Sequence, residues 1–236
     1  IETENPKGKN AQMNKVSVKD TTISIPVYPV GAPEKLPVFA ENRVHQRMSG
    51  NPYPNAVTAD VRASDKPERR ELRAVVIEND YIRVTVLPEY GGRVFSAEDK
   101  TTGRDFLYRQ HVIKPALIGL LGPWISGGIE FNWPTHHRPS TFLPTDVTIE
   151  ENEHESVVWL TSSDVFDRMT GSVGIALRDD RAYFETRVRL YNRTPERRSF
   201  LWWENAAVPA GPDLRIFFPQ DVGHVFFHYR RNTTAY

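Results

Sequence analysis

Apolar and polar residues alternate along most of this chain with a period of two. Arg181 to Tyr191 is the clearest run: Phe184, Thr186, Val188 and Leu190 face one way, and Tyr183, Glu185, Arg187, Arg189 and Tyr191 the other. Val16 to Val30 is rich in Val, Ile and Thr, and Pro26 and Pro29 place that strand at a sheet edge, because proline cannot donate to a ladder. Ala74–Glu78 and Tyr81–Leu87 are short strand-like runs parted by the turn pair Asn79-Asp80, and Arg93–Ala97 follows a second turn ending in Gly91-Gly92. Further runs at Thr145–Glu151, Glu155–Ser162, Gly171–Leu177, Ser199–Ala206, Leu214–Phe218 and His224–Tyr229 are separated by charged or glycine-bearing turns. His111 to Leu121 reads as a short helix or an apolar loop. Many short strands between turn signals predict an all-β, antiparallel sandwich. Residues 1–15 read as a polar, flexible arm, 16–71 as one strand and a long wrapping connection, and 72–236 as the sandwich domain.

Composition narrows the partners. Of 236 residues, 30 are Lys or Arg and 30 Asp or Glu. That balance gives no basic excess for nucleic acid or an anionic membrane. No apolar run approaches the roughly 20 residues of a membrane-spanning helix. Without cysteine there is neither a disulfide nor a thiolate-bound metal. The chain opens on Ile1, so its first residue reads as a processed or cut end, and further domains of a longer chain are expected partners.

Chemistry concentrates between Trp124 and Pro144 (WISGGIEFNWPTHHRPSTFLP). Gly127-Gly128 breaks the chain locally. The five residues that follow read as a strand, with Glu130 and Asn132 on one face and Ile129, Phe131 and Trp133 on the other, ended by Pro134. A carboxylate flanked by Trp124 and Trp133 suits a general acid or base, or else a hydrogen-bonded brace for the bend. His136, His137 and Arg138 follow on a loop; either histidine can assist proton transfer, whereas adjacent histidines are unusual spacing for a metal. A second constellation, Trp202-Trp203-Glu204-Asn205, sets Trp202 and Glu204 on one face and Trp203 and Asn205 on the other. Aromatic area with a few placed carboxylates and amides is the composition of a carbohydrate site. Arg93, just after Gly91-Gly92, reaches either a ligand oxygen or a cross-sheet carboxylate. Neither a cofactor nor a metal is called for by these residues.

The run Asn79 to Arg93 (NDYIRVTVLPEYGGR), the turn Asp99 to Gly103 (DKTTG) and Phe106 to Tyr108 resemble the opening of galactose-mutarotase-like domains. Trp124 to Pro134 and Arg187 to Thr194 (RVRLYNRT) are similar to one subfamily, an uncharacterised domain often found ahead of tetratricopeptide repeats. The resemblance covers about residues 72–230. It implies a β-supersandwich with a carbohydrate groove, its last strands lying beyond Tyr236 or close to it. It also implies a choice of activities. Glu130 and Glu204 would be the paired carboxylates of a glycoside hydrolase, assisted by His136 or His137. Arg93, Trp124, Asn132, Trp133, Arg138, Trp202, Trp203 and Asn205 would hold the sugar. The alternatives are a non-catalytic sugar-binding or scaffold module of a larger repeat-containing protein, and an aldose mutarotase. True mutarotases carry their acid in an Asn-x-x-His-Pro-x-Phe-Asn-Leu-like motif, which this sequence lacks.

Overall fold

The computed structural model describes residues 15–33, 60–117, 123–134, 141–164 and 168–224. In chain order the strands are β1 (Ser17–Val27), β2 (Glu68–Glu78), β3 (Ile82–Leu87), β4 (Arg93–Asp99), β5 (Arg104–Asp105), β6 (Ala116–Leu117) and β7 (Pro123–Trp124). They continue with β8 (Ile129–Asn132), β9 (Asp146–Glu151), β10 (Glu155–Asp164), β11 (Met169–Arg178), β12 (Phe184–Asn192) and β13 (Trp203–Ala206). A seven-stranded sheet runs β1-β2-β3-β4-β8-β13, with β5 also on β4. A four-stranded sheet runs β12-β11-β10-β9, and β6 and β7 form a small ribbon. Every pairing between these strands is antiparallel. The chain is thus an all-β antiparallel sandwich, as the alternating pattern predicts.

Between the sheets lies the main core. Val75, Ile77, Val84, Val86, Val94, Ile129 and Phe131 of the large sheet share one cluster with Val158, Leu160, Val173, Ile175 and Leu177 of the small one. Each such side chain, fully buried, contributes about 1.5–3 kcal/mol. The opposite face of the large sheet is covered too. Ile25, Leu72, Leu87 and Phe95 pack there with Tyr90, Ile113 and Ile125, which come from turns and connections. In β4 the register shifts, Thr85 pairing with Ser96 and Val86 with Val94, so Phe95 is left unpaired as a bulge. Alternation then puts Arg93, Phe95, Glu130 and Asn132 on this second face, away from the small sheet.

The two sheets are tied at one end by Asn79, which is buried between β2 and β3. Its Oδ1 accepts from the backbone N–H of Tyr81 and Ile82, both at 2.9 Å. Its Nδ2 donates to the carbonyls of Arg178 (2.7 Å) and Arg181 (2.6 Å), at the end of β11. One amide therefore satisfies four backbone groups.

The outer face of β12 is solvated and ion-paired rather than groove-lining. Arg187 makes a two-pronged bridge to Glu155 (2.7 and 2.6 Å), and the Arg189 guanidinium lies 3.7 Å from the centre of the Trp159 ring. Several expected elements differ. Ser199–Ala206 is a strand only over β13. Leu214–Phe218 joins no ladder among the described residues and is exposed, Phe217 at 88%. An alternating apolar run becomes a strand only where a neighbour offers hydrogen bonds. Over the described part of His111–Leu121 the loop reading holds, with the short strand β6 within it. Residues 1–14, 34–59 and most of His224–Tyr229 lie outside the described residues. Among the described residues no helix is long and apolar enough to cross a membrane.

Replacing Asn79 by Ala strands the carbonyls of Arg178 and Arg181 and two N–H groups. Each buried unpaired group costs about 1–3 kcal/mol, offset where water enters. We expect a loss of roughly 2–3 kcal/mol, read from the urea midpoint at unchanged slope. A shift within error of wild type would show that Asn79 is not the tie between the sheets.

Candidate functional site

The site is built on a close approach of β4 and β8. Gly127 and Gly128 both have positive φ, +89° and +66°. At Gly128 a Cβ would sit 2.0 Å from the Val94 carbonyl oxygen, so no other residue fits. The Gly128 N–H donates to the Tyr108 carbonyl (2.7 Å), and its own carbonyl accepts from Ala207 N–H (2.8 Å). Three chain segments therefore meet at the bend. β8 leaves it with Ile129 opposite Val94, and β13 pairs along β8 with Asn205 opposite Glu130 and Trp203 opposite Asn132.

Glu130 is 2% exposed and Arg93 3%. Glu130 Oε2 accepts from Trp124 Nε1 at 2.7 Å and faces Arg93 Nη2 at 3.4 Å. Its Oε1 accepts from Asn205 Nδ2 at 2.7 Å. Arg93 Nη1 donates to the Gly127 carbonyl. Burial pushes the Arg93 guanidinium down from its ordinary pKa, and the Glu130 carboxylate opposes that. Asn132 follows on the same face with no exposed surface, and neither its Nδ2 nor its Oδ1 has a hydrogen-bond partner. Arg93 Nε is likewise buried and unpartnered. Beside Arg93 opens a cavity of about 240 Å³, lined among the described residues by Arg93, Phe95, Gln110, Val112, Ile113, Lys114, Ile125 and Ser126.

Structure divides the sequence candidates. Arg93, Trp124, Glu130, Asn132, Asn205 and Trp203 come together on the second face. Trp133 points the other way and is buried against Gly171 of β11, where a Cβ would lie 2.3 Å from its ring. Trp202 stacks on Phe131, ring centres 6.1 Å apart, on that same side. Glu204 is opposite Phe131 in the ladder and hydrogen-bonds Thr186 of the small sheet. Glu130 and Glu204 therefore lie on opposite faces, so these carboxylates do not face one another across a substrate. Nearby, Arg198 pairs Glu196 at 3.1 Å. His136, His137 and Arg138 lie outside the described residues. Among the described residues no group of three or more potential ligands is placed to hold a metal.

With the geometry in view, the family can be stated. The model of a domain of unknown function, DUF5107, matches residues 50–234. The chain belongs to that family. In the DUF5107 match both glycine pairs and every residue of the polar cluster are included. Among solved structures, this chain is similar to a TPR-domain containing protein from Parabacteroides distasonis ATCC 8503, at 24% identity and a TM-score of 0.72. The likeness covers 86% of this chain and 34% of that one, and it concerns the fold. An association of the domain with TPR proteins thus fits the resemblance seen in the sequence.

Phe95, Gln110, Lys114, Ile125 and Ser126 were not legible as site residues. They reach the cavity through the β4 bulge and the connection after β5, and no spacing in the sequence signals either. Gln110 was findable only as a polar residue beside an apolar run; its Nε2 donates to Ser126 Oγ at 2.9 Å.

Two outcomes follow. Removing Glu130 leaves Arg93 buried without its counter-charge, so Glu130→Ala should cost about 3–5 kcal/mol in urea unfolding. A loss under about 1 kcal/mol would mean the pair is not a buried brace. Desolvation raises the pKa of Glu204, with the Thr186 hydrogen bond working against it. A raised folded pKa makes the ionised carboxylate a liability above that pKa and neutral below the unfolded one. Glu204→Gln should therefore stabilise the domain at pH 7, and the gain should fade towards pH 4. A gain that grows with acidity would contradict the sign.

Proposed function

We propose that this domain binds carbohydrate, through the polar cluster on the second face of the large sheet and the cavity beside it. The observation that carries the reading is Asn132. A buried amide with no partner costs about 1–3 kcal/mol, and folded proteins rarely keep one without a use. Donor and acceptor on one planar group are what a sugar hydroxyl needs, since a hydroxyl both donates and accepts. Arg93 Nε adds a second unsatisfied donor, and Phe95 and Ile125 supply apolar area against which a ring can lie. The resemblance of the Gly-Gly-Arg turn to galactose-mutarotase-like domains supports the same reading. The TPR-domain containing neighbour supports a place for the domain within a longer repeat-containing polypeptide.

Glu130 organises the site. Among the described residues Trp124, Asn205 and Arg93 all present donors to it, which suits an ionised carboxylate. Hydrolysis by facing carboxylates requires both on the same bond, either about 5–5.5 Å or about 6.5–9.5 Å apart. Glu130 and Glu204, on opposite faces, do not form such a pair, and we favour binding over paired-acid hydrolysis.

The test is saturation-transfer NMR of the chain with a panel of mono- and oligosaccharides, beside an Asn132→Leu variant. Leu is similar in size and removes two unpaired polar atoms. We expect sugar signals for the wild type and none for the variant, while the variant unfolds at equal or higher urea, by up to about 1–3 kcal/mol. A destabilised variant that still shows the wild-type signals would sink this reading.

A further inference from the structure

We infer that the open side of the sandwich, between β12 and β13, receives one more β-strand, an extended segment supplied in cis by a longer polypeptide; this stands apart from the carbohydrate reading. β12 pairs with β11 so that Phe184, Thr186, Val188 and Leu190 lie opposite Leu177, Ile175, Val173 and Gly171. Residues directly opposite in a ladder share a face, and Val173, Ile175 and Leu177 belong to the core between the sheets. The four β12 residues therefore point inward too. At one end they are met: Phe184 stacks on Phe106, ring centres 6.3 Å apart, and Thr186 hydrogen-bonds Glu204 of β13. Further along, Val188 faces inward and is still 38% exposed. On this side the core reaches Phe184 and Trp202, which are only partly buried.

What Val188 needs is a strand opposite it. The large sheet stops at β13, whose edge away from β8 joins no ladder among the described residues. An unpaired strand edge is a row of N–H and C=O groups that a further strand satisfies. A helix, its backbone bonds already made within itself, would leave that row unanswered. The chain on either side of β13 is apolar and exposed, with Phe200 and Leu201 before it and Val208 after it. Exposed apolar surface of this kind marks a place where a partner sits. The occupant has apolar side chains at alternate positions, those facing inward covering Val188. It carries a hydrogen-bond donor beside Glu204, whose carboxylate the new strand would take further from water. A source in cis fits the solved TPR-domain containing protein, in which the likeness to this chain covers 34% of the length and leaves the rest to supply such a segment. Within one polypeptide the strand docks at high effective concentration, so a short ladder suffices.

Hydrogen–deuterium exchange of the 236-residue chain, beside the polypeptide that its gene encodes in full, tests this. We expect the β13 amides that face away from β8 to exchange roughly tenfold or more slowly in the longer form. Val188→Asp should lower the urea midpoint of the longer form and leave that of the 236-residue chain within error, since only a covered position would be forced to bury the charge. Equal exchange at β13 in both forms would overturn the inference, as would a reading frame that ends at Tyr236. Slower exchange at β13 with no effect of Val188→Asp in the longer form would overturn it too, because the opening between the sheets would then stay uncovered. So would a dimer of the 236-residue chain whose dissociation on dilution frees the β13 amides, the occupant then being a second copy.

Discussion

Position 128 has no side chain, and the large sheet depends on it. A Cβ there would occupy the space of the Val94 carbonyl oxygen. β8 could then not lie beside β4, and β13 would lose the strand on which it pairs. The single ladder contact Val94–Ile129 joins two halves of the sheet. One half is the meander β1-β2-β3-β4, held by long registers such as the eleven-residue pairing of β1 with β2. The other is the short β8–β13 pair carrying most of the polar cluster. Glycine at positive φ makes the junction sterically permissible, and the Tyr108 and Ala207 backbone hydrogen bonds fix it.

Burial on both faces gives the large sheet its second character. Antiparallel sheets commonly turn one face to water. Here Tyr90, from the turn between β3 and β4, and Ile113 and Ile125, from the connections between β5 and β8, cover the face that would otherwise be wet. Polar residues at alternate positions of β4 and β8, among them Arg93, Glu130 and Asn132, are thereby taken out of water. Arg93 and Glu130 offset each other's desolvation, and Trp124 and Asn205 complete the carboxylate. Asn132 is not offset. The cluster is thus hydrogen-bonded around Glu130, while Asn132 beside it is fully buried with both amide atoms unpartnered.

The two faces of β8 and β13 divide the aromatic residues. Trp133 and Trp202 are packing groups: the first fills the space left by Gly171, the second stacks on Phe131. Trp124 and Trp203 lie with the polar cluster. Four tryptophans that look equivalent as a sugar platform thus split into two structural and two site-side residues. Membership of DUF5107 and the fold shared with the Parabacteroides distasonis protein place this arrangement in a family without assigning it a role.

By itself the sequence determined what is local. Period-two alternation set the longer strands, among them β1, β3, β4 and β8 to β12, and the sandwich class, because the side-chain direction of a strand follows from its own backbone. Prolines put β1 at an edge, where it lies in the sheet order. Alternation also assigned Glu130 and Asn132 to one face and Trp202 and Glu204 to the other side of their strand from Asn205. Only the tertiary structure decided which face of β8 meets which face of β13. Strand register is a relation between distant segments, and it was this register that brought Asn205 to Glu130 and sent Glu204 to Thr186. Nor does alternation say whether a run finds a partner. Leu214–Phe218 has the pattern of a strand and stands exposed, since a ladder needs hydrogen bonds from a second chain segment that its own residues do not encode.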